Sequence, residues 1–325
     1  MFDSVESVAR ALSEQQYIAG RNIATVVYLA EKLQKPVLVE GPAGVGKTEL
    51  AKVVARATGR DLIRLQCYEG LDEAKALYEW EYSKQLLYTQ ILKERFTQAM
   101  EGARTLREAA DRVGREDNVF FSERFIVPRP LLRAITADRP ALLLVDEVDK
   151  SDPEFEAFLL EVLSDFQVTV PEIGTFEATQ RPLVFLTSND AREMSDALKR
   201  RCLHLYIDFP DEELEREILR AKVPEVDARL AEAVVAMMQK LRELDLKKTP
   251  SISETLDWAR ALLVLNAREL DEELVSGTLN VILKYEADIQ KAQAELARLL
   301  GRKQAGAETK GEAAPRPAPK RGALH

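Results

Sequence analysis

Gly41-Pro42-Ala43-Gly44-Val45-Gly46-Lys47-Thr48 fits the pattern G-x-x-x-x-G-K-[ST], and the residues on either side give that pattern a mechanism. Pro36-Val37-Leu38-Val39-Glu40 reads as a short buried strand, and Glu49 to Thr58 as a helix with apolar Leu50, Val53, Val54 and Ala57. A glycine loop between strand and helix lets backbone N–H groups converge on an anion with no Cβ in the way. The helix behind it adds its own unsatisfied N–H groups and the positive end of its dipole. Lys47 then reaches the β- and γ-phosphates of a bound nucleotide, and the Thr48 hydroxyl is placed to ligate Mg²⁺. The complementary half is Ala141-Leu142-Leu143-Leu144-Val145-Asp146-Glu147. Its apolar run predicts a central parallel strand with two carboxylates at the C-terminal end, where ligands bind in open α/β sheets. Asp146 is expected to hold a water of the Mg²⁺ shell, and Glu147 to orient and deprotonate the attacking water. Loop, strand and carboxylates together predict binding and hydrolysis of a nucleoside triphosphate.

The 325 residues allow roughly two domains. Hydrophobic residues at 46% can build a core and charged residues at 31% can cover it. A formal charge of -9 argues against a large nonspecific nucleic-acid footprint. No apolar run reaches the ~20 residues that span a bilayer, and the N-terminus lacks a signal-peptide pattern, so a cytoplasmic protein is expected. Cys67 and Cys202 stand far apart and are expected in the core; with two histidines in the chain, ordinary zinc spacing cannot be assembled.

Taken in order, residues 2–35 are helical in pattern, with Ile23, Val26, Val27, Ala30 and Leu33 on one face. Gln15-Gln16-Tyr17-Ile18 precedes the first strand and is a candidate wall for the base. Asp61-Leu62-Ile63-Arg64-Leu65 predicts a second strand ending at Gln66. Leu71 to Pro128 is an insertion, with a helix-like run from about Gln90 to Val113 and a hairpin at Val119–Val127. Pro153 opens a helix bearing Phe155, Phe158, Leu159, Val162 and Leu163. Gln167–Val170 and Thr175–Ala178 suggest a second hairpin through Gly174, Leu183–Ser188 another buried strand ending on Asn189, and Leu203–Ile207 the last strand. His204 alternates within that last strand and reads as structural. Residues 1–210 thus form an α/β nucleotide-binding domain with inserts at about 71–128 and 166–180. Residues 211–302 form an all-helical lid, and 303–325 a polar tail expected to be disordered.

With Asn189 at a strand end and Arg200-Arg201 after a short helix, the chain resembles the AAA+ ATPases, and within them the MoxR branch. Glu-Gly-Pro-Ala-Gly-Val-Gly-Lys-Thr (40–48), Leu-Leu-Val-Asp-Glu-Val-Asp (143–149), Gln-Val-Thr-Val (167–170), Thr-Ser-Asn-Asp (187–190) and Leu-Lys-Arg-Arg-Cys (198–202) carry the likeness. The resemblance implies a P-loop AAA+ module, a parallel five-stranded sheet between helices followed by the helical lid. Asn189 falls at the sensor 1 position, which helps place the lytic water, and Arg200 and Arg201 at the arginine-finger position, which acts on the neighbouring subunit's nucleotide. Gln66 falls where a polar residue couples the site to a partner. The two inserts match family elements that face a ring pore. A sensor 2 arginine is missing: the matching stretch is Pro250-Ser251-Ile252-Ser253-Glu254-Thr255-Leu256, and Arg260, two turns on, is the candidate substitute. Ser-Ile-Ser-Glu-Thr-Leu-Asp-Trp (251–258) looks like the branch linked to maturation of carbon monoxide dehydrogenase and related molybdenum enzymes.

The function implied is a Mg²⁺-dependent, hexameric ring ATPase that consumes ATP as a remodelling chaperone. Its expected partners are a protein with a von Willebrand factor A domain and a client metalloenzyme, with neither nucleic acid nor a membrane span. A nucleic-acid motor or loader on the same core is the alternative, disfavoured by the acidic charge. A nucleotide switch with little turnover is a third class, and Glu147 argues against it.

Overall fold

The structure is a computed structural model that describes residues 2–88, 90, 105, 123–171 and 173–300. Its strands are β1 (Val37–Glu40), β2 (Asp61–Gln66), β3 (Tyr78–Trp80), β4 (Ile126–Pro128), β5 (Ala141–Asp146), β6 (Gln167–Val170), β7 (Gly174–Glu177), β8 (Leu183–Ser188) and β9 (Leu203–Tyr206). Five of them form one sheet in the order β2-β5-β8-β1-β9, and every pairing in it is parallel. Parallel strands need crossovers, and the helices that make them cover both faces. That is why β5 and β8 are buried at every residue and read as continuous apolar runs. The register sets Gln66 opposite Asp146 and Glu40 opposite Ser188, so the strands end level and their C-terminal ends form one rim.

On one face, helices Val5–Glu14, Arg21–Leu33 and Lys47–Thr58 bury Leu12, Val27, Leu50 and Val54 with Leu144 and Phe185 of the sheet. The opposite face takes helices Pro130–Ile135 and Pro153–Asp165, whose Leu131, Leu132, Phe155 and Leu159 pack with Leu143, Val145 and Leu186. Each of these two helices begins on a proline, whose fixed φ and missing N–H suit the first turn.

Beyond β9 the described chain is helical. Glu212–Lys222, Ala228–Arg242, Ile252–Val264 and Glu272–Ile282 share a core around Met238, Trp258 and Leu262. Asp211, Asp227, Ser251 and Asp271 cap them, each side chain accepting a backbone N–H of the first turn. A buried ion pair locks three of the four together. Arg242 donates from Nη1 and Nη2 to the Glu215 carboxylate at 2.6 Å each, and from Nε to the Pro250 carbonyl at 2.9 Å. Glu215 is 0% exposed, so removing either partner would strand a buried charge at a cost of about 3–5 kcal/mol. The pair fixes where the helix Ile252–Val264 begins, and that helix end meets the nucleotide loop.

The five-stranded parallel sheet and the helical C-terminal region match the sequence expectation. The second hairpin is present as β6 and β7, antiparallel with Gln167 opposite Glu177. The first is different: β4 pairs antiparallel with β3, Tyr78 opposite Pro128. Val119–Phe121, the first arm of the hairpin read from sequence, and most of the run Gln90–Val113 lie outside the described residues, as does the tail. Among the described residues no helix is long and apolar enough to cross a membrane.

Candidate nucleotide site

The loop after β1 turns sharply because two of its glycines sit where side chains cannot. Gly41 has φ +144, and a Cβ there would lie 2.0 Å from the Ile207 carbonyl oxygen. Gly44 has φ +78, and its Cβ would lie 2.1 Å from Ser251 Oγ on the C-terminal helices. Lys47 is the first residue of the following helix and only 5% exposed. Its Nζ donates to the Gly41 and Pro42 carbonyls at 2.7 and 2.6 Å and to Asn189 Oδ1 at 2.8 Å. Burial pulls the Lys47 ammonium below the ordinary lysine range, while Asp149, Asp146 and Glu147 push it back. A cation held this way, solvated by carbonyls and one amide, is primed to exchange them for anionic oxygens.

Asp146, at the end of β5, accepts from four directions. Oδ1 takes the hydroxyls of Thr48 at 2.9 Å and Thr187 at 2.5 Å. Oδ2 takes Arg64 Nε at 3.0 Å and Nη2 at 2.5 Å. Glu147 follows with φ 56 and ψ 50, a left-handed backbone conformation that costs a non-glycine residue free energy and clusters at functional positions. Its N–H donates to Thr187 Oγ1 at 2.9 Å, which holds that turn. The carboxylate accepts from Gln66 Nε2 and Lys150 Nζ, both at 2.7 Å on Oε2, and from Asn189 Nδ2 at 3.2 Å on Oε1. Asn189 therefore bridges Lys47 and Glu147. Its own turn is held by Asp149, whose Oδ2 accepts from the backbone N–H groups of Asn189 and Ala191 at 3.1 and 3.0 Å.

Two cavities adjoin this network. One of about 270 Å³ is lined by Ala43, Gly44, Gly46, Lys47, Thr48, Asp146, Glu147, Thr187 and Asn189. The other, about 370 Å³, lies on the far side of the loop among Tyr17, Ile18, Ile207, Leu214, Ile252 and Leu256. The first gathers the site's ionic and hydroxyl side chains on a lining of mixed polarity, and the second is mainly apolar. Tyr17 and Ile18, the sequence's candidate wall for the base, line the apolar cavity, and burial pushes the Tyr17 hydroxyl above its ordinary range.

The remaining sequence candidates divide. Arg200 and Arg201 end the helix Asp196–Arg201, both exposed; Arg201 Nη1 donates to the Leu160 carbonyl at 3.0 Å, and neither residue lines the two cavities of its own chain. Arg260 lines the apolar cavity, but its guanidinium pairs with Asp257 at 3.2 Å and the residue does not line the other one. Ser253 lines both, and its hydroxyl donates to the Gly44 carbonyl at 3.2 Å. Cys67 is buried, Cys202 half-buried, and burial pushes each thiol up to about 12. His204 Nε2 lies 2.5 Å from Glu40 Oε2 on the neighbouring strand, clear of the nucleotide cavities. Reading the sequence missed Arg64, Asp149 and Thr187. Their signal was faint: Arg64 and Gln66 are two apart on one side of β2, and Thr187-Ser188 are the polar residues ending an apolar strand.

Residues 36–202 match the family described as AAA domain (dynein-related subfamily). The chain belongs to that family. It is 30% identical over 221 residues to gas vesicle ATPase GvpN of Haloferax mediterranei, an alignment covering 64% of this chain and 57% of that protein's length. An uncharacterized protein of Staphylococcus aureus is 25% identical over 240 residues, covering 72% of this chain and 77% of its own. Among solved structures, a Thermotoga maritima RuvB mutant aligns at 16% identity with a TM-score of 0.48, covering 91% of this chain and 79% of that one.

Proposed function

We propose that this chain binds Mg·ATP and hydrolyses it, working as a ring-forming remodelling ATPase of the MoxR type. One observation supports this above the others: Lys47 and Thr48 at a helix start and Asp146, Glu147 and Asn189 at two adjacent strand ends meet in one hydrogen-bonded network around one cavity, with an apolar cavity beside it. The triphosphate takes the first cavity and adenine the apolar one. Lys47 exchanges its loop carbonyls for phosphate oxygens, and the Glu147 carboxylate accepts a proton from the attacking water once it leaves Gln66. The Thr48 hydroxyl directly and the Asp146 carboxylate through a water would hold Mg²⁺, and the two groups lie 2.9 Å apart. When bound, that ion neutralises charge on the β- and γ-phosphate oxygens.

Arg200 and Arg201, exposed and away from their own loop, serve the nucleotide of the next subunit in a hexamer. A von Willebrand factor A domain protein and a client metalloenzyme, in a cytoplasmic setting, complete the proposal, supported by the resemblance of the motifs. Titration with a fluorescent ATP analogue tests the site: Lys47→Ala should weaken binding at least about tenfold, the loss of a charge-assisted contact. Unchanged affinity would overturn it. Turnover stimulated by single-stranded DNA, with no such partner captured by an ATP-loaded Glu147→Gln protein, would replace remodelling with the nucleic-acid motor.

A further inference from the structure

Glu49 lies just outside the loop motif, yet it stands where the two cavities join. Four residues line both of them: Gly44, Gly46, Glu49 and Ser253. With the base in the apolar cavity and the phosphates in the other, the sugar that links them has to pass these four. Two are glycines, and the Ser253 hydroxyl has its proton on the Gly44 carbonyl at 3.2 Å. That leaves the Glu49 carboxylate as the side chain with hydrogen-bonding capacity to spare. Its cationic neighbours both approach the same oxygen: Arg56 Nη2 lies 3.0 Å from Oε1, and Lys222 Nζ, at the end of the helix Glu212–Lys222, lies 4.0 Å from it. Among the described residues no hydrogen bond reaches Oε2, and the side chain is 36% exposed, so a ligand can approach it. An ionised carboxylate only accepts hydrogen bonds, so the partner of Oε2 must bring an O–H or an N–H. Ribose hydroxyls are such donors, whereas phosphate oxygens are not and would be repelled. Arg56 and Lys222 offset the Glu49 charge, which lets it stand beside a polyphosphate. A carboxylate on a ribose hydroxyl is also the arrangement that dinucleotide-binding folds use.

We propose that Glu49 recognises the sugar of the bound nucleotide, taking a ribose hydroxyl on Oε2, and so makes this site select ribonucleotides over deoxyribonucleotides. The inference rests on the nucleotide reading above and adds the class of sugar that the site takes. The alternative role for Glu49 is an ion pair that ties the loop helix to the C-terminal helices through Lys222. Such a pair would be blind to the sugar, and either partner's removal would have the same effect.

Calorimetric titration with ADP, 2′-deoxy-ADP and 3′-deoxy-ADP tests the proposal, because these diphosphates share the sugar position of ATP and are not consumed by its hydrolysis. The parent should bind ADP about ten- to a hundredfold more tightly than at least one of the two deoxy compounds, the worth of a hydrogen bond to a charged acceptor. Glu49→Ala should bring ADP down to the level of that deoxy compound, whose own affinity should stay within about twofold of the parent's. That retained affinity shows the fold and the rest of the site to be intact. Glu49→Gln keeps an acceptor oxygen without the charge and should retain part of the preference. Lys222→Met removes the other half of the ion pair and should leave the preference for ADP in place. Equal binding of all three nucleotides by the parent would overturn the proposal. So would a loss in Glu49→Ala that is the same for all three, or a preference erased by Lys222→Met. A parent that binds no ADP would instead remove the nucleotide reading on which the proposal stands.

Discussion

Gly44→Ala probes the place where the C-terminal helices touch the nucleotide loop. Two penalties act together. Alanine at φ +78 occupies the left-handed region, at a cost of about 1–2 kcal/mol. The new Cβ would also lie 2.1 Å from Ser251 Oγ and 2.7 Å from Ser251 Cβ, against an ordinary contact of about 3.5–4 Å. Ser251 caps its helix and is 4% exposed, and the buried Arg242–Glu215 pair fixes that helix end, so it yields only by moving as a body. Forcing it back by about 1 Å should cost a further ~1–3 kcal/mol and spoil the phosphate geometry. Melting by circular dichroism should fall by about 4–8 °C, and ATP-analogue affinity by about tenfold to a hundredfold. Adding Ser251→Gly removes both clashing atoms at a cap cost of only a few tenths of a kcal/mol, so the double variant should regain about half of the loss. A double variant no better than the sum of its parts would refute the contact.

Glu254 supplies a pH-dependent term at the same helix start. Burial raises its carboxyl, but bonds from the Ser251 hydroxyl and backbone N–H outweigh that and leave it below the ordinary glutamate range. A depressed carboxyl contributes stability that is complete above its unfolded value, about 4.3, and is lost as pH falls through the folded one. The parent should therefore melt above Glu254→Gln at pH 7, and the gap should close below about pH 4; a gap that persists in acid contradicts the capping role. Arg200→Ala/Arg201→Ala and Lys47→Ala should each abolish turnover, and mixing them with subunit exchange should restore part of it, because some interfaces then join an intact loop to intact arginines. No recovery despite co-assembly measured by native mass spectrometry would refute action in trans.

Much of this site was legible in the sequence because its chemistry is written locally. The glycine spacing before Lys47, the apolar run ending in Asp146-Glu147 and the strand ending at Asn189 each declare themselves within a few residues. Contacts made across strands were not legible in that way. Arg64 meets Asp146 because parallel pairing sets Gln66 opposite Asp146, and Thr187 bonds both Asp146 and Glu147 because β8 lies beside β5. Asp149 could be read as an acidic turn; that it holds the backbone of Asn189 and Ala191 depends on the fold. The missing sensor 2 arginine was visible as an absence, whereas the contact standing there, Ser253 on the Gly44 carbonyl, is set by how the C-terminal helices dock. Arg260, the substitute that the family resemblance suggests, has its helix face turned toward Asp257 and the apolar cavity. β4 was assigned a sequence neighbour, but strand pairing reaches back to Tyr78–Trp80.

The central claim is that Glu147 is the base of a hydrolytic nucleotide site. Phosphate release and Mg·ATP binding measured side by side on the parent and Glu147→Gln test it most directly. The amide keeps the shape of the side chain but cannot take a proton, while Lys47, Thr48 and Asp146 still hold the nucleotide. Turnover should fall by about 10²–10⁴-fold with affinity close to the parent's. Phosphate release at the parent rate by Glu147→Gln would contradict the account.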